Sequence, residues 1–281
     1  MPQHTTDADP GHANAPDLRG PPCLIAVAVG NSRTRVGLFH HSELEQSESF
    51  ENDRPEAIAG AIAELYNKEA TDRDPVVVVA STRPSVSGPL IDRLTGVLPG
   101  APYLVGKDLP IHVNHLLDED GARTVGHDRL LNALGAFSRT GQATVVVDLG
   151  TAATVDFVDG KGTFCGGAIA PGLRMMLASL HEHAEQLPIV EYRPVPSDRP
   201  FGLNTPDAIR LGVGAALQGL VRALTERYAL SYGGYPQIVA TGGDLAVLEA
   251  DGVVEHFVPD LQLIGIQVAC ARALAEADDD A

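Results

Sequence analysis

Three glycine turns are the places where this chain could hold an anion. Gly30-Asn31-Ser32 follows the apolar run Leu24–Val29, Gly150-Thr151-Ala152 follows the apolar run Thr144–Val147 and Asp148, and Gly242-Gly243 follows Ile238–Ala240. Glycine at the tip of a strand–turn–strand lets backbone approach an anion and aim N–H groups at it, and nearby hydroxyl or amide side chains add donors. Three such turns facing one cleft suit a nucleotide with its phosphates. Neither G-x-x-x-x-G-K-[ST] nor G-x-G-x-x-G occurs in the chain, so a P-loop or Rossmann site is not indicated.

A second chemical segment is Gly126-His127-Asp128-Arg129, at the start of a helical pattern. Asp128 falls in the first helical turn, where the macrodipole favours a carboxylate. It either decorates the helix start or accepts a hydroxyl proton, with Arg129 as its anion-binding neighbour. Asp148 ends an apolar strand beside a glycine turn, the place for a carboxylate that holds a cation or makes an Asx turn. Asn204 and Thr205 precede a long helical stretch, where either is an N-cap. His181 and His183 lie in HEHAE, which lacks the H-x-x-x-H pair of a helical metal site and reads as a solvated helix end.

These residues need elements to carry them. Periodicity predicts strands at 24–29, 36–39, 76–80, 101–105, 111–114, 144–147, 155–158, 163–169 and 238–240. It predicts helices at 55–67, 87–97, 127–138, 173–183, 206–228, 245–249 and 264–275. Alternation of the two types argues α/β. The segments AVAVGNSRTRVGLF and VVVDLGTAATVDFV share one plan of apolar strand, glycine turn and strand, and their turns lie 120 residues apart. A duplicated α/β domain with a cleft between its halves follows.

The composition restricts the partners. With 37 acidic and 20 basic residues the formal net charge is −17, which argues against nucleic acid or anionic membrane. No apolar run approaches about 18 residues, so no membrane span is expected. Three cysteines, Cys23, Cys165 and Cys270, without C-x-x-C spacing, point to reduced thiols in a cytoplasmic protein. Residues 1–22 have neither a basic n-region nor an apolar h-region and read as a disordered arm. The expected organisation is that arm, halves at 23–141 and 142–277, and an acidic tail at 278–281.

From Leu24 to about Ala275 the chain resembles type III pantothenate kinases of the acetate and sugar kinase, Hsp70 and actin superfamily. GNSRTR resembles the first phosphate motif and VGHDR the substrate motif Gly-x-Asp-Arg. VDLGTAATVDFV and then GGAIAPGL resemble the second phosphate region, LP and then GLNT a downstream substrate segment, and ATGGD the adenosine motif. The resemblance implies a duplicated actin-like (ribonuclease H-like) ATPase fold, two halves around a nucleotide cleft. It implies transfer of the ATP phosphoryl group to the primary hydroxyl of pantothenate, the first step of coenzyme A synthesis. The enzymes it resembles are homodimers that use Mg²⁺ with ATP and a monovalent cation, K⁺ or NH₄⁺.

Carried over by position, Asp128 is the proton acceptor, and Gly126, His127, Arg129 and Thr205 contact pantothenate, Thr205 from across the dimer. Asp148 holds the monovalent cation. Gly30, Asn31, Ser32, Arg33, Arg35, Thr151, Gly242 and Gly243 contact the nucleotide. Two positions depart from the pattern. Ala28 stands where the first phosphate motif usually has Asp, and a methyl group cannot coordinate a hard cation. The stretch LLDEDGARTV has no aromatic where the family usually places a tyrosine. These departures define two alternatives: a catalytically weakened relative that binds nucleotide or pantothenate in a regulatory role, or a related kinase for another small hydroxyl substrate.

Overall fold

The computed structural model describes residues 20–196, 199–249 and 252–279. The first sheet is built from β1 (Leu24–Val29), β2 (Arg33–His40), β3 (Glu43–Glu51), β4 (Val76–Ser81) and β5 (Tyr103–Leu104). Its order is β3-β2-β1-β4-β5, with β1–β2–β3 antiparallel and β1, β4 and β5 parallel. The second contains β6 (Thr144–Leu149), β7 (Ala152–Val158), β8 (Phe164–Pro171), β9 (Gln237–Gly242) and β10 (His256–Phe257). Its order, β10-β9-β6-β7-β8, repeats the first sheet strand for strand and direction for direction. The echo between the two turn segments is therefore a repeat of the whole sheet.

Helices α1 (Pro55–Glu69) and α2 (Pro84–Val97) cover one face of sheet one, where Ile58, Ile62, Leu90 and Leu94 pack on Ile25, Val27, Val77 and Val79. Proline at the first turn of each helix loses no intrahelical hydrogen bond there. A short α3 (Glu119–Thr124) leads into α4 (His127–Thr140), which a left-handed Gly141 ends. α5 (Leu173–His183) and α6 (Thr205–Tyr232) cover the outer face of sheet two, with α7 (Ala246–Glu249) beside them. In α6 the buried Ile209, Val213, Leu217 and Val221 recur every four residues, one stripe against one sheet.

α8 (Leu261–Asp279) does not stay with the sheet that precedes it. Its Leu263, Ile266, Ala269 and Cys270 pack on Leu24, Ala26 and Val78 of sheet one, while α4 lays Ala133 and Ala136 on Val146 and Val158 of sheet two. The two helices therefore cross between the sheets. At the crossing a Cβ on Gly265 would stand 2.0 Å from the Leu131 carbonyl oxygen, and one on Gly135 2.6 Å from that of Leu261. Only glycine permits backbones this close.

The structure corrects several expected elements. Residues 111–114 form no strand; after Pro110 the chain touches sheet two only at its edge, where Phe164 N–H donates to the Asn114 carbonyl at 2.8 Å. β3 is an unanticipated strand, because ELEQSESFE is an edge strand wetted on both sides and lacks an apolar alternation. Helix α8 extends into the expected acidic tail, through Asp279. Of the expected arm, residues 1–19 lie outside the described residues, whereas Gly20 and Pro21 are buried. Among the described residues no helix is long and apolar enough to cross a membrane.

Candidate active site

The β1–β2 turn and the β6–β7 turn meet. Ser32 Oγ lies 3.1 Å from Thr151 Oγ1, and Asn31 Nδ2 donates to the same oxygen at 3.3 Å. Asn52, just past β3, fixes the first turn: its Nδ2 donates to the carbonyls of Gly30 (2.9 Å) and Asn31 (3.2 Å), and its Oδ1 accepts from Thr34. The Arg83 guanidinium donates to the Asn31 carbonyl. The second turn is backed by α5, whose cap Gly172 donates its N–H to the Thr151 carbonyl at 3.1 Å. A helix N-terminus packed against a glycine turn is a place for phosphate.

The third turn closes on the second. Gly242 sits at φ +106°, and a Cβ there would come within 2.4 Å of the Leu149 carbonyl oxygen. Asp244 N–H donates to that carbonyl at 3.1 Å. Beyond Gly243 opens a cavity of about 720 Å³ lined by Leu173, Arg174, Leu177, Tyr192 and Asp244. Burial raises the Asp244 carboxyl above its ordinary range, while Arg174 and Arg33 hold it back.

Beneath α4 three carboxylates gather. Asp148 and Asp156 face the same side of the β6–β7 ladder, since Asp156 is in register with Val146, two residues from Asp148. Asp128 and Asn132, four apart on α4, share the helix face turned to that ladder. Asn132 Nδ2 donates to Asp148 Oδ2 at 2.9 Å, and Asn132 Oδ1 is buried without a partner. Burial, then the charge of Asp128, pushes the Asp148 carboxyl up to about 6, against the Asn132 hydrogen bond. Asp148 Oδ1 borders Gly150, which ties the carboxylates to the second turn.

Arg129 is half-buried over the Phe164 ring, 5.5 Å from its centroid, and its Nε reaches both Asp156 oxygens at 3.1 Å. Nη2 also donates to Asp156. Burial works against both charges; the Asp156 hydrogen bonds and charge outweigh it and keep Arg129 firmly protonated. The pairing leaves Nη1 as the guanidinium nitrogen not taken up by Asp156. Asp156 is a site residue that the sequence reading missed. Its signal was a carboxylate inside the apolar strand Val155–Val158, which a soluble fold tolerates only with a partner.

The remaining expected residues fall as follows. Gly126 caps α4 through its backbone, and Asp128 Oδ1 accepts from the Arg129 N–H at 2.9 Å. His127 packs its ring against Gly106. Thr205 starts α6 and is exposed; the cap itself is Asn204, whose Oδ1 accepts from Asp207 N–H at 2.9 Å. Arg33 pairs with Glu51 across the β2–β3 ladder yet stays half exposed. Arg35, expected at the phosphates, instead gives Nη1 to Asp260 Oδ1 at 2.7 Å. Its strand register puts it opposite Ala28, on the face turned to α8, so a nearby carboxylate satisfies the charge.

Two sheets of identical topology, opening on each other through facing glycine turns, define an actin-like ATPase fold with a nucleotide cleft. Component A of (R)-2-hydroxyglutaryl-CoA dehydratase from Acidaminococcus fermentans has this fold, at a TM-score of 0.51 and 15% identity over 91% of this chain and 99% of that one. The profile of type III pantothenate kinase matches residues 24–227. A type III pantothenate kinase of Syntrophotalea carbinolica is 33% identical, over 89% of this chain and 98% of its own length. That of Rubrobacter xylanophilus is also 33% identical, over 88% and 97%. The chain belongs to the type III pantothenate kinase family.

Proposed function

We propose that this chain transfers the γ-phosphoryl group of ATP to the primary hydroxyl of pantothenate. The observation that carries the reading is the convergence of two turns from opposite halves, at Ser32 and Thr151, next to the carboxylates under α4. ATP phosphates lie on the donors of Asn31, Ser32 and Thr151, and the nucleoside enters the cavity beside Gly243 and Asp244. The pantothenate oxygen attacks the γ-phosphorus, the bond to the ADP oxygen breaks, and the hydroxyl proton passes to Asp128. Arg129, held by Asp156, turns Nη1 to the anionic end of pantothenate. Positioning and charge neutralisation supply most of the rate in such transfers.

The donor set fits hard cations. Asp148 and the orphaned Asn132 Oδ1 offer only oxygen, as K⁺ or NH₄⁺ requires, and Asp128 adds a carboxylate at the same face. Mg²⁺ bound with ATP supplies neutralisation of phosphate charge. Ala28 contributes no ligand to it.

The chain works as a homodimer in the cytoplasm. On β8 and in the stretch between α5 and α6 the apolar side chains of Ile169, Ile189, Phe201 and Leu203 are 65%, 78%, 72% and 82% exposed, a surface that suits a second copy. In that arrangement Thr205 of one protomer completes the pantothenate site of its partner.

Coupled ADP release with pantothenate, MgATP and KCl tests the reading. Pantothenate-dependent turnover in the natural chain, lowered about 10²- to 10⁴-fold in Asp128→Asn, is expected. Absence of pantothenate-dependent turnover in the natural chain would overturn it.

A further inference from the structure

At the end of sheet one remote from the cleft, three different ligand types converge. Cys23 immediately precedes β1, His40 ends β2 and Glu69 ends α1. β1 runs from this corner to the Gly30 turn, so roughly 20 Å of strand separates it from the phosphates. Antiparallel pairing of Leu24 with Phe39 brings His40 level with Cys23. His40 Nε2 lies 2.9 Å from Glu69 Oε2, Cys23 Sγ lies 3.9 Å from the same oxygen, and all three ligand atoms fall within 4.8 Å of one another.

We propose that Cys23, His40 and Glu69 form a binding site for a borderline-soft divalent ion of the zinc type, independent of the kinase site. Tetrahedral zinc with ordinary bond lengths sets its sulfur, nitrogen and oxygen ligands about 3.4–3.6 Å apart, so the two separations made by Glu69 Oε2 need change only by about half an ångström. The mixed donor set selects such an ion over Mg²⁺, which takes oxygen alone. His40 presents Nε2 to the site while Nδ1 faces Glu45 Oε1 at 3.6 Å, the outer carboxylate that metal-bound histidines commonly have.

The charges close. Thiolate, Glu69 and Glu45 carry three negative charges; Arg73, which touches Glu69 Oε2 at 3.0 Å, and a dication carry three positive ones. Cys23 and Glu69 are buried, while the His40 side chain is 26% exposed and marks the side from which an ion and a fourth ligand, water, would enter. Binding forms the Sγ–metal bond as the Cys23 thiol releases its proton to solvent. The site would pin the first two strands of sheet one to α1 without touching catalysis.

Co²⁺ titration of the full-length chain is the test, because a cobalt–thiolate bond gives a near-ultraviolet charge-transfer band that carboxylate sites do not. The expected result is one such band saturating at one ion per chain, removed by excess Zn²⁺ and absent in Cys23→Ser. Zn²⁺ should raise the thermal midpoint of the natural chain, as ligand binding to the native state requires. His40→Gln, at a half-exposed position that tolerates change, should weaken Co²⁺ binding at least tenfold with kinase turnover unaltered. A band that persists undiminished in both variants would assign the metal elsewhere and overturn the proposal. No band and no Zn²⁺-dependent shift in the natural chain would leave the corner a hydrogen-bonded cluster only.

Discussion

The hydroxyl oxygens of Ser32 and Thr151, 119 residues apart in sequence, lie 3.1 Å from each other at the mouth of the cleft. Each lies in the turn that joins the first two strands of its own sheet, so the two halves of the duplicated fold touch through equivalent turns, one position out of step. Phosphate oxygens entering there compete for the donors that now satisfy one another.

Thr151→Ala removes the hydroxyl at this contact while leaving Gly150 and the α5 cap in place. Loss of one net hydrogen bond, about 1 kcal/mol, predicts a KM for ATP raised roughly fivefold, with the KM for pantothenate little changed. Thr151→Ser should restore the natural value. Initial rates against each substrate decide it; an equal rise in both KM values would mean that the turn serves the whole cleft.

Asp156→Ala leaves the largely covered Arg129 guanidinium over Phe164 without its buried carboxylate. Breaking a buried pair in this way costs about 3–5 kcal/mol of stability. Urea unfolding should show it as a lower midpoint. The double variant Asp156→Ala/Arg129→Ala should recover part of the loss, although it also loses the proposed substrate contact.

Asp148 makes the folded chain sensitive to pH. Its carboxyl is raised from 3.8 to about 6, so between these values the native state binds the proton more tightly than the unfolded one. Stability from this group is present below about pH 4, declines as pH rises through 6 and is flat above, by at most about 3 kcal/mol. In tetramethylammonium buffer Asp148→Asn should melt above the natural chain at pH 8, and the gap should close near pH 4. KCl should narrow the gap at pH 8 by stabilising only the natural chain. A variant less stable at both pH values would refute the assignment of Asp148 as a strained, cation-seeking carboxylate.

Gly265→Ala pushes a methyl group against the Leu131 carbonyl where α8 crosses α4. Because the obstacle is backbone, the helices must move apart, and a loss of roughly 3 kcal/mol follows. Gly212→Ala, with open space around its Cβ, is the control and should stay near neutral. Thermal melting of both variants compares them directly.

The sequence by itself determined the repeated strand–turn–strand plan, the three glycine turns and the positions of Asp128 and Asp148. Each of these is local: apolar runs, turn residues and a first-turn carboxylate are written in consecutive positions. It could not show β3, whose both-sided exposure erases the alternation that marks a strand. Nor could it assign partners, because pairing is set by neighbours in space. Arg129 belongs to Asp156 and Arg35 to Asp260, across 27 and 225 residues. The exchange of α4 and α8 between the sheets, likewise, rests on Gly135 and Gly265, which look like weak points in a helix until the crossing gives them a purpose. Tertiary packing alone decided which charges remain free for a substrate and which hold the fold together, since a buried charge must be met by whatever opposite charge the fold brings within reach.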